Sequence, residues 1–174
     1  MTALTLTLIG RDRPGLVRSL SERVAEAGGS WLESRMARLA GQFAGILLVE
    51  LPESAVERFL AELNDLEAQG VRVTAERGLG EERREPQRLL LLDLVGQDRP
   101  GIVRDIAQVL AGQGVNIEEL TTRVVSASFS GDPMFEAQAR LKVPAGLSLE
   151  ELRETLERLA NEIMVELRLD PADA

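Results

Sequence analysis

The segment Gly10-Arg11-Asp12-Arg13-Pro14-Gly15 recurs as Gly96-Gln97-Asp98-Arg99-Pro100-Gly101. Proline fixes φ near the helical value, and glycine tolerates positive φ and a close backbone approach. A corner of this kind that opens a helix leaves first-turn N–H groups unpaired, and such a terminus attracts a carboxylate. Asp12 and Asp98 then either cap the helix or hold an ammonium group beside that carboxylate. Further along, Gly114-Val115-Asn116-Ile117 corresponds to Gly28-Gly29-Ser30-Trp31. Asn116 offers a carbonyl acceptor and an amide donor, which suits both charged ends of a free amino acid; Ser30 meets only part of that need. Asp-Arg-Pro-Gly is equally sound as a turn and helix start with no ligand, so both readings stand. The motif arginines Arg13, Arg18, Arg99 and Arg104 read as solvated charges at helix starts. Met36, Met134 and Met164 read as core filler, and Trp31 as a packing anchor.

Composition removes most other chemistry. The chain has 174 residues and contains no Cys, no His and no Tyr. A disulfide frame, a thiolate nucleophile, Cys-ligated zinc and histidine acid–base catalysis are therefore excluded. No catalytic residues, no metal and no cofactor are expected. Twenty basic against 29 acidic side chains give a net charge of −9. That balance argues against direct binding to nucleic acid, whose phosphates need a basic footprint. The start Met1-Thr2-Ala3-Leu4-Thr5 lacks the pattern of a signal peptide, and the longest aliphatic runs, Ile46 to Val49 and Leu89 to Leu92, are too short to span a bilayer. No membrane partner and a cytoplasmic location are expected.

The corners belong to a larger repeat. A shift of 86 residues aligns Leu4–Glu33 with Leu90–Glu119, and 13 of the 30 positions are identical. Each copy opens with a strand: Leu4, Leu6 and Leu8 alternate with threonines, so one face is buried. The counterpart, Leu89 to Leu92 with Leu94 and Val95, is apolar on both faces at its start, which predicts packing on each side. Helices follow, with stripes Leu16, Val17, Leu20, Val24, Ala27 and Ile102, Val103, Ile106, Val109, Leu110. Gly28 and Gly114 sit where a left-handed residue ends a helix. Two strands come next, about 31–39 and 43–51 with a turn near Gly41, and about 115–125 and 134–143. Second helices are predicted from capping boxes at Ser54-Ala55-Val56-Glu57 and Ser148-Leu149-Glu150-Glu151. Their stripes are Val56, Phe59, Leu60, Leu63 and Leu149, Leu152, Leu156, Leu159. Strands near 71–75 and 164–169 close the units.

The order β-α-β-β-α-β with right-handed crossovers gives an α+β class: two tandem ferredoxin-like sandwiches, each a four-stranded antiparallel sheet with two helices on one face. The expected boundaries are 1–80 and 88–174, with a polar linker over 81–87. Phe43 matches Phe135, and Pro52 matches Pro144, at an offset of 92, so the second unit has six extra residues within 126–133. That stretch is predicted as a loop, either a neutral insertion or a contact for a partner or ligand.

The duplicated corner, the element order and Gly-Val-Asn-Ile after the first helix of the second unit resemble the ACT domain, a small regulatory module that commonly binds amino acids at domain interfaces. Two such units with no catalytic domain, and Ser-Gly-Asp-Pro-Met-Phe at 130–135, resemble the glycine cleavage system transcriptional repressor family. The resemblance implies a non-enzymatic regulator that senses glycine or a similar small amino acid and restrains a transcriptional activator by protein contact. It places a ligand site first at Asp98, Pro100, Gly101 and Asn116, and a second at Asp12, Pro14, Gly15 and Ser30. Exposed sheet edges make a homo-oligomer the expected assembly. The alternatives are a ligand-free oligomerisation protein and a regulatory fragment of an enzyme such as formyltetrahydrofolate deformylase, whose N-terminal module looks similar.

Overall fold

A computed structural model describes residues 1–78, 87–127 and 131–172. The expected linker lies outside them except for Gln87, as do residues 128–130 of the expected loop. The chain divides into two compact units, Met1–Glu82 and Arg83–Ala174. The first contains β1 (Thr2–Arg11), α1 (Leu16–Glu26), β2 (Ser30–Leu39), β3 (Gln42–Leu51), α2 (Glu53–Ala68) and β4 (Val71–Arg77). The second repeats the order with β5 (Gln87–Gln97), α3 (Ile102–Gly112), β6 (Asn116–Ser126), β7 (Pro133–Pro144), α4 (Leu149–Ile163) and β8 (Val165–Pro171). The sheets run β2-β3-β1-β4 and β6-β7-β5-β8, with every pairing antiparallel. Each unit is thus the ferredoxin-like sandwich expected from the repeat.

Strand alternation decides which face is covered. Leu4, Leu6 and Leu8 of β1 join Leu47, Val49 and Leu51 of β3 in one buried cluster with Leu20 and Val24 of α1 and Val56, Phe59, Leu63 and Leu66 of α2. Leu90, Leu92 and Leu94 do the same with Ile102, Ile106 and Leu110 of α3 and Leu152 and Leu156 of α4. Each large side chain buried this way contributes roughly 1.5–3 kcal/mol. Gly28 and Gly114 take the left-handed conformation, at φ 71° and 69°. The β2–β3 hairpin turns on Ala40 and Gly41, both at positive φ, as a two-residue turn matched to strand twist requires.

Several expectations are corrected. Val17 and Val103 are 46% and 41% exposed; Val103 borders a crevice with Ile106, Ala107 and Leu120 of the edge strand, where no further strand among the described residues covers it. Ser54 is no cap: α2 begins at Glu53 with Pro52 as its N-cap residue. The chain enters this helix directly from β3, without the Ala145-Gly146-Leu147 turn of the second unit. Ser148 does cap α4, accepting from the Glu151 N–H at 3.4 Å. Among the described residues of the second unit, nothing packs on the far face of β5, where Leu91 and Val95 are 42% and 41% exposed. Their neighbours on that face are Arg140, Asp170, Glu136 and Glu166, whose charges need water. Within the 126–133 stretch, Ser126 and Pro133 pair as a last rung of the hairpin, so the insertion lengthens the strands as well as the turn.

Met164 is surface, not core filler. It is 79% exposed and links α4 to β8 at φ 55°, where the first unit has Gly70 at φ 80°. A left-handed residue with a side chain is strained by about 1–2 kcal/mol, part of which glycine returns as unfolded-chain entropy. Met164→Gly should therefore stabilise the second unit by about 0.5–1 kcal/mol, seen as a higher midpoint in urea denaturation.

Candidate functional site

The corners begin with a packing demand. A Cβ on Gly10 would meet the Gly70 carbonyl oxygen at 2.9 Å, and one on Gly96 would meet Val165 Cγ1 at 2.4 Å. The first glycine of each motif thus admits the neighbouring strand and is not reserved for a ligand. The chain then turns, and the Asp12 N–H donates to the Gly41 carbonyl at 3.0 Å, as the Asp98 N–H does to Pro133 at 2.9 Å. In both units the tip of the β-hairpin therefore holds the corner in place, through the turn in the first and the first residue of β7 in the second.

Gly15 and Gly101 are the N-cap residues of α1 and α3, left-handed at φ 93° and 88°. Neither helix has a side-chain cap, so Asp12 and Asp98 do not perform that role. The exposed Asp12 carboxylate instead accepts from Arg38 Nε at 2.6 Å, and Asp98 is exposed. The first helical bonds run from the Ser19 N–H to Gly15 and from the Asp105 N–H to Gly101. The N–H groups of the three preceding residues in each helix have no helical acceptor, and the helix dipole adds partial positive charge.

From here the two corners differ. No atom lies within 4 Å of where a Gly15 Cβ would stand, whereas Arg104 Nη2 lies 3.0 Å from that position on Gly101. The difference traces to one aligned pair, Ser19 and Asp105. Asp105 accepts from Arg99 Nη2 at 2.5 Å and from Arg104 Nε and Nη2 at 2.9 and 2.8 Å. Arg104 stays 75% exposed, as expected of a solvated charge, whereas Arg99, 34% exposed, is drawn down by the carboxylate in the first turn. The hydrogen bonds from Arg104 and then Arg99 hold the Asp105 carboxyl below the usual carboxylate range. In the first unit Arg18 instead reaches along α1 to Glu22, at 2.7 Å. The second corner carries its own carboxylate, while the first is open to one from outside.

Asn116 and Ser30 do not join these corners within a unit. Asn116 pairs with Lys142, which pairs with Leu89, and Ser30 pairs with Glu50, which pairs with Ala3. The corners follow Gln97 and Arg11, eight residues along the central strand in each case, or about 26 Å at strand rise. Pro14 and Pro100 lie in the corners themselves, immediately before Gly15 and Gly101, and each is exposed. An open recess beside the second corner is lined by Gln97, Asp132, Met134, Met164 and Glu166. Sequence reasoning missed the contrast at Ser19 and Asp105, although one mismatch beside a run of identities was its visible signal.

The comparisons agree with this architecture. ACT-domain family models match residues 2–75 and 89–166, and the chain belongs to the ACT-domain family as a tandem pair. It is 23% identical, over 92% of its length and 85% of the relative's, to the glycine cleavage system transcriptional repressor of Escherichia coli (strain K12). A crystal structure of a protein of unknown function from Galdieria sulphuraria shares 30% identity, with a TM-score of 0.82 over 99% of both chains. Another structure, provisionally described as a glycine cleavage system transcriptional repressor, has 21% identity and a TM-score of 0.73 over 99% of this chain and 98% of its own, and shows the same fold. Among the described residues no helix is long and apolar enough to cross a membrane.

The lowered Asp105 carboxyl links stability to pH. Its contribution is present above the unfolded carboxylate range and is lost as pH falls through the folded value. Asp105→Asn should lower the melting temperature at neutral pH. The gap to the unsubstituted protein should close as both are acidified below the carboxylate range, read by calorimetry across a pH series.

Proposed function

We propose that the protein is a non-enzymatic regulator that senses glycine or a similarly small amino acid at the first corner. In this reading it acts in the cytoplasm by contact with a transcriptional activator and not by binding DNA itself. The observation that carries the reading is the uncapped start of α1 at Gly15, with open space at its left-handed glycine. A small carboxylate can approach the free N–H groups there without displacing any side chain. Whole-length similarity to a glycine cleavage system transcriptional repressor supports the regulatory role, and a net charge of −9 suits a protein partner better than a nucleic acid. The first corner takes precedence over the Asp98, Pro100 and Gly101 corner because Arg104 and Asp105 already occupy the second. A ligand at either corner is too far from the Asn116 or Ser30 of the same unit to touch it. The self-occupied second corner favours one alternative, a ligand-free oligomerisation protein.

Ser19→Asp separates the two readings, because it gives the first corner the carboxylate that the second already has. An acidic residue in the first turn stabilises a helix by about 0.3–1 kcal/mol, so the variant should fold at least as well as the parent. In calorimetric titration the parent should bind glycine or a close analogue, and saturation at a hundredfold excess over Kd should add about 2.7 kcal/mol of stability. Ser19→Asp should lose the binding heat. Unchanged binding in the variant would move the ligand away from Gly15, and no heat from any of the twenty amino acids would leave the oligomerisation reading.

A further inference from the structure

The two corners differ at a second pair of positions, and the two differences match. Ser19 aligns with Asp105, and Glu22 aligns with Gln108. Each unit therefore offers one carboxylate to its helix-start arginine, but in a different place. Arg104 takes Asp105 beside it, at 2.8 Å, and Gln108 holds out no charge further along α3. Arg18 takes Glu22 one turn on, at 2.7 Å. The other arginine of the motif is then left over in the first unit. Arg99 reaches Asp105 at 2.5 Å. Its counterpart Arg13 is exposed and has no hydrogen bond or ion pair among the described residues.

The second corner shows what this backbone does with a carboxylate. Two guanidinium groups close on it, one of them laid over the left-handed glycine. The first corner keeps the left-handed glycine and the uncapped helix, keeps both arginines, and lacks only the carboxylate. Serine ends in a hydroxyl where aspartate continues to a carboxylate, which leaves room and a hydrogen-bond donor. We propose that Arg13 and Arg18 form the clamp for the ligand of the first corner, whose carboxylate takes the place that the Asp105 side chain fills in the second.

Arg18 exchanges Glu22 for the ligand and folds over Gly15, as Arg104 lies over Gly101. The exchange costs little. Arg18 and Glu22 are 80% and 52% exposed, and ion pairs so open to water are weak. A carboxylate among unpaired N–H groups gives the planar guanidinium a stronger, two-pronged partner. That difference in affinity is what shifts the equilibrium toward the closed arrangement. Asp12, the motif's own carboxylate, is held by Arg38 at 2.6 Å, so the clamp reads the carboxylate end of the ligand. The class it admits is a short carboxylate, of which glycine is one. The clamp rests on the sensing role given to the first corner.

Calorimetric titration with glycine, and with sodium acetate as a carboxylate lacking the ammonium group, tests this. Arg13→Gln and Arg18→Gln should each weaken binding at least about tenfold, with an unchanged circular dichroism spectrum. Arg58→Gln, which removes the same charge on α2, should leave binding as it was. Asp105→Ser gives the second corner the composition of the first, so the number of sites per chain should rise from one to two. Adding Arg104→Gln should return it to one. Melting curves give a second readout: acetate should raise the melting temperature of Asp105→Ser more than that of Arg99→Gln/Asp105→Ser at the same concentration. Binding that survives both Arg13→Gln and Arg18→Gln, or an Asp105→Ser chain with one site and no acetate shift above its control, would overturn the clamp and leave sensing at Gly15 in place. A parent that takes acetate but no amino acid would keep the clamp and remove the sensing reading. One that takes neither would overturn both.

Discussion

In each unit a central strand buries only one of its two faces, and the other features follow from that constraint. β1 and β5 place leucines at every second position toward the helices, and β3 and β7 supply matching apolar rows. The helices must then lie on that face alone, so both crossovers fall on the same side of the sheet. The opposite face carries the partly exposed Ile9 in the first unit and Leu91 and Val95 in the second, and the β2 and β6 strands become edges. Each strand-to-helix corner stands at the end of the central strand, held by a carbonyl from the tip of the neighbouring hairpin. Both the corner and the edge are therefore products of one pattern of burial.

Duplication gave this architecture twice, and the copies have since diverged where they meet solvent. The two corners keep their backbone nearly unchanged, including a left-handed glycine at the start of the helix. Their electrostatics differ because one position is Ser19 in the first unit and Asp105 in the second. A carboxylate in the first turn pairs with Arg99 and Arg104 and lays the Arg104 guanidinium group, itself exposed, over Gly101. Without it, Arg18 turns along its helix toward Glu22, and the helix start stays accessible. One side chain converts an anion-receptive terminus into a satisfied one.

The edges diverged in the opposite sense. β2 carries serine and arginine on its helix side, and one arginine is held by the neighbouring corner. β6 replaces these with leucine and valine, while its outer face keeps an ordered sequence of charges. The two units thus differ in two places, the first having an open helix start at Gly15 and the second an edge strand with exposed Leu120 and Val124.

The amino-acid sequence by itself determined the repeat, the order of elements and the face each strand buries. Period-two and helical spacings are local properties, and the matching glycines and prolines mark where they change. It also determined which chemistry is absent, since histidine and cysteine chemistry cannot arise without those residues. Tertiary structure decided what local patterns do not carry. Val103 fits a helical stripe as well as Ile106 does, but only the position of an edge strand decides that it meets solvent. Ser54 has the spacing of a capping box, yet direct entry from β3 starts the helix before it. Met164 has the composition of a core residue, while the turn between α4 and β8 points it outward. Asn116 and Gly101 stand close in sequence because a helix joins them, and that helix returns the chain to the far end of the sheet. A sequence records separation along the chain, whereas a binding site depends on distance through space.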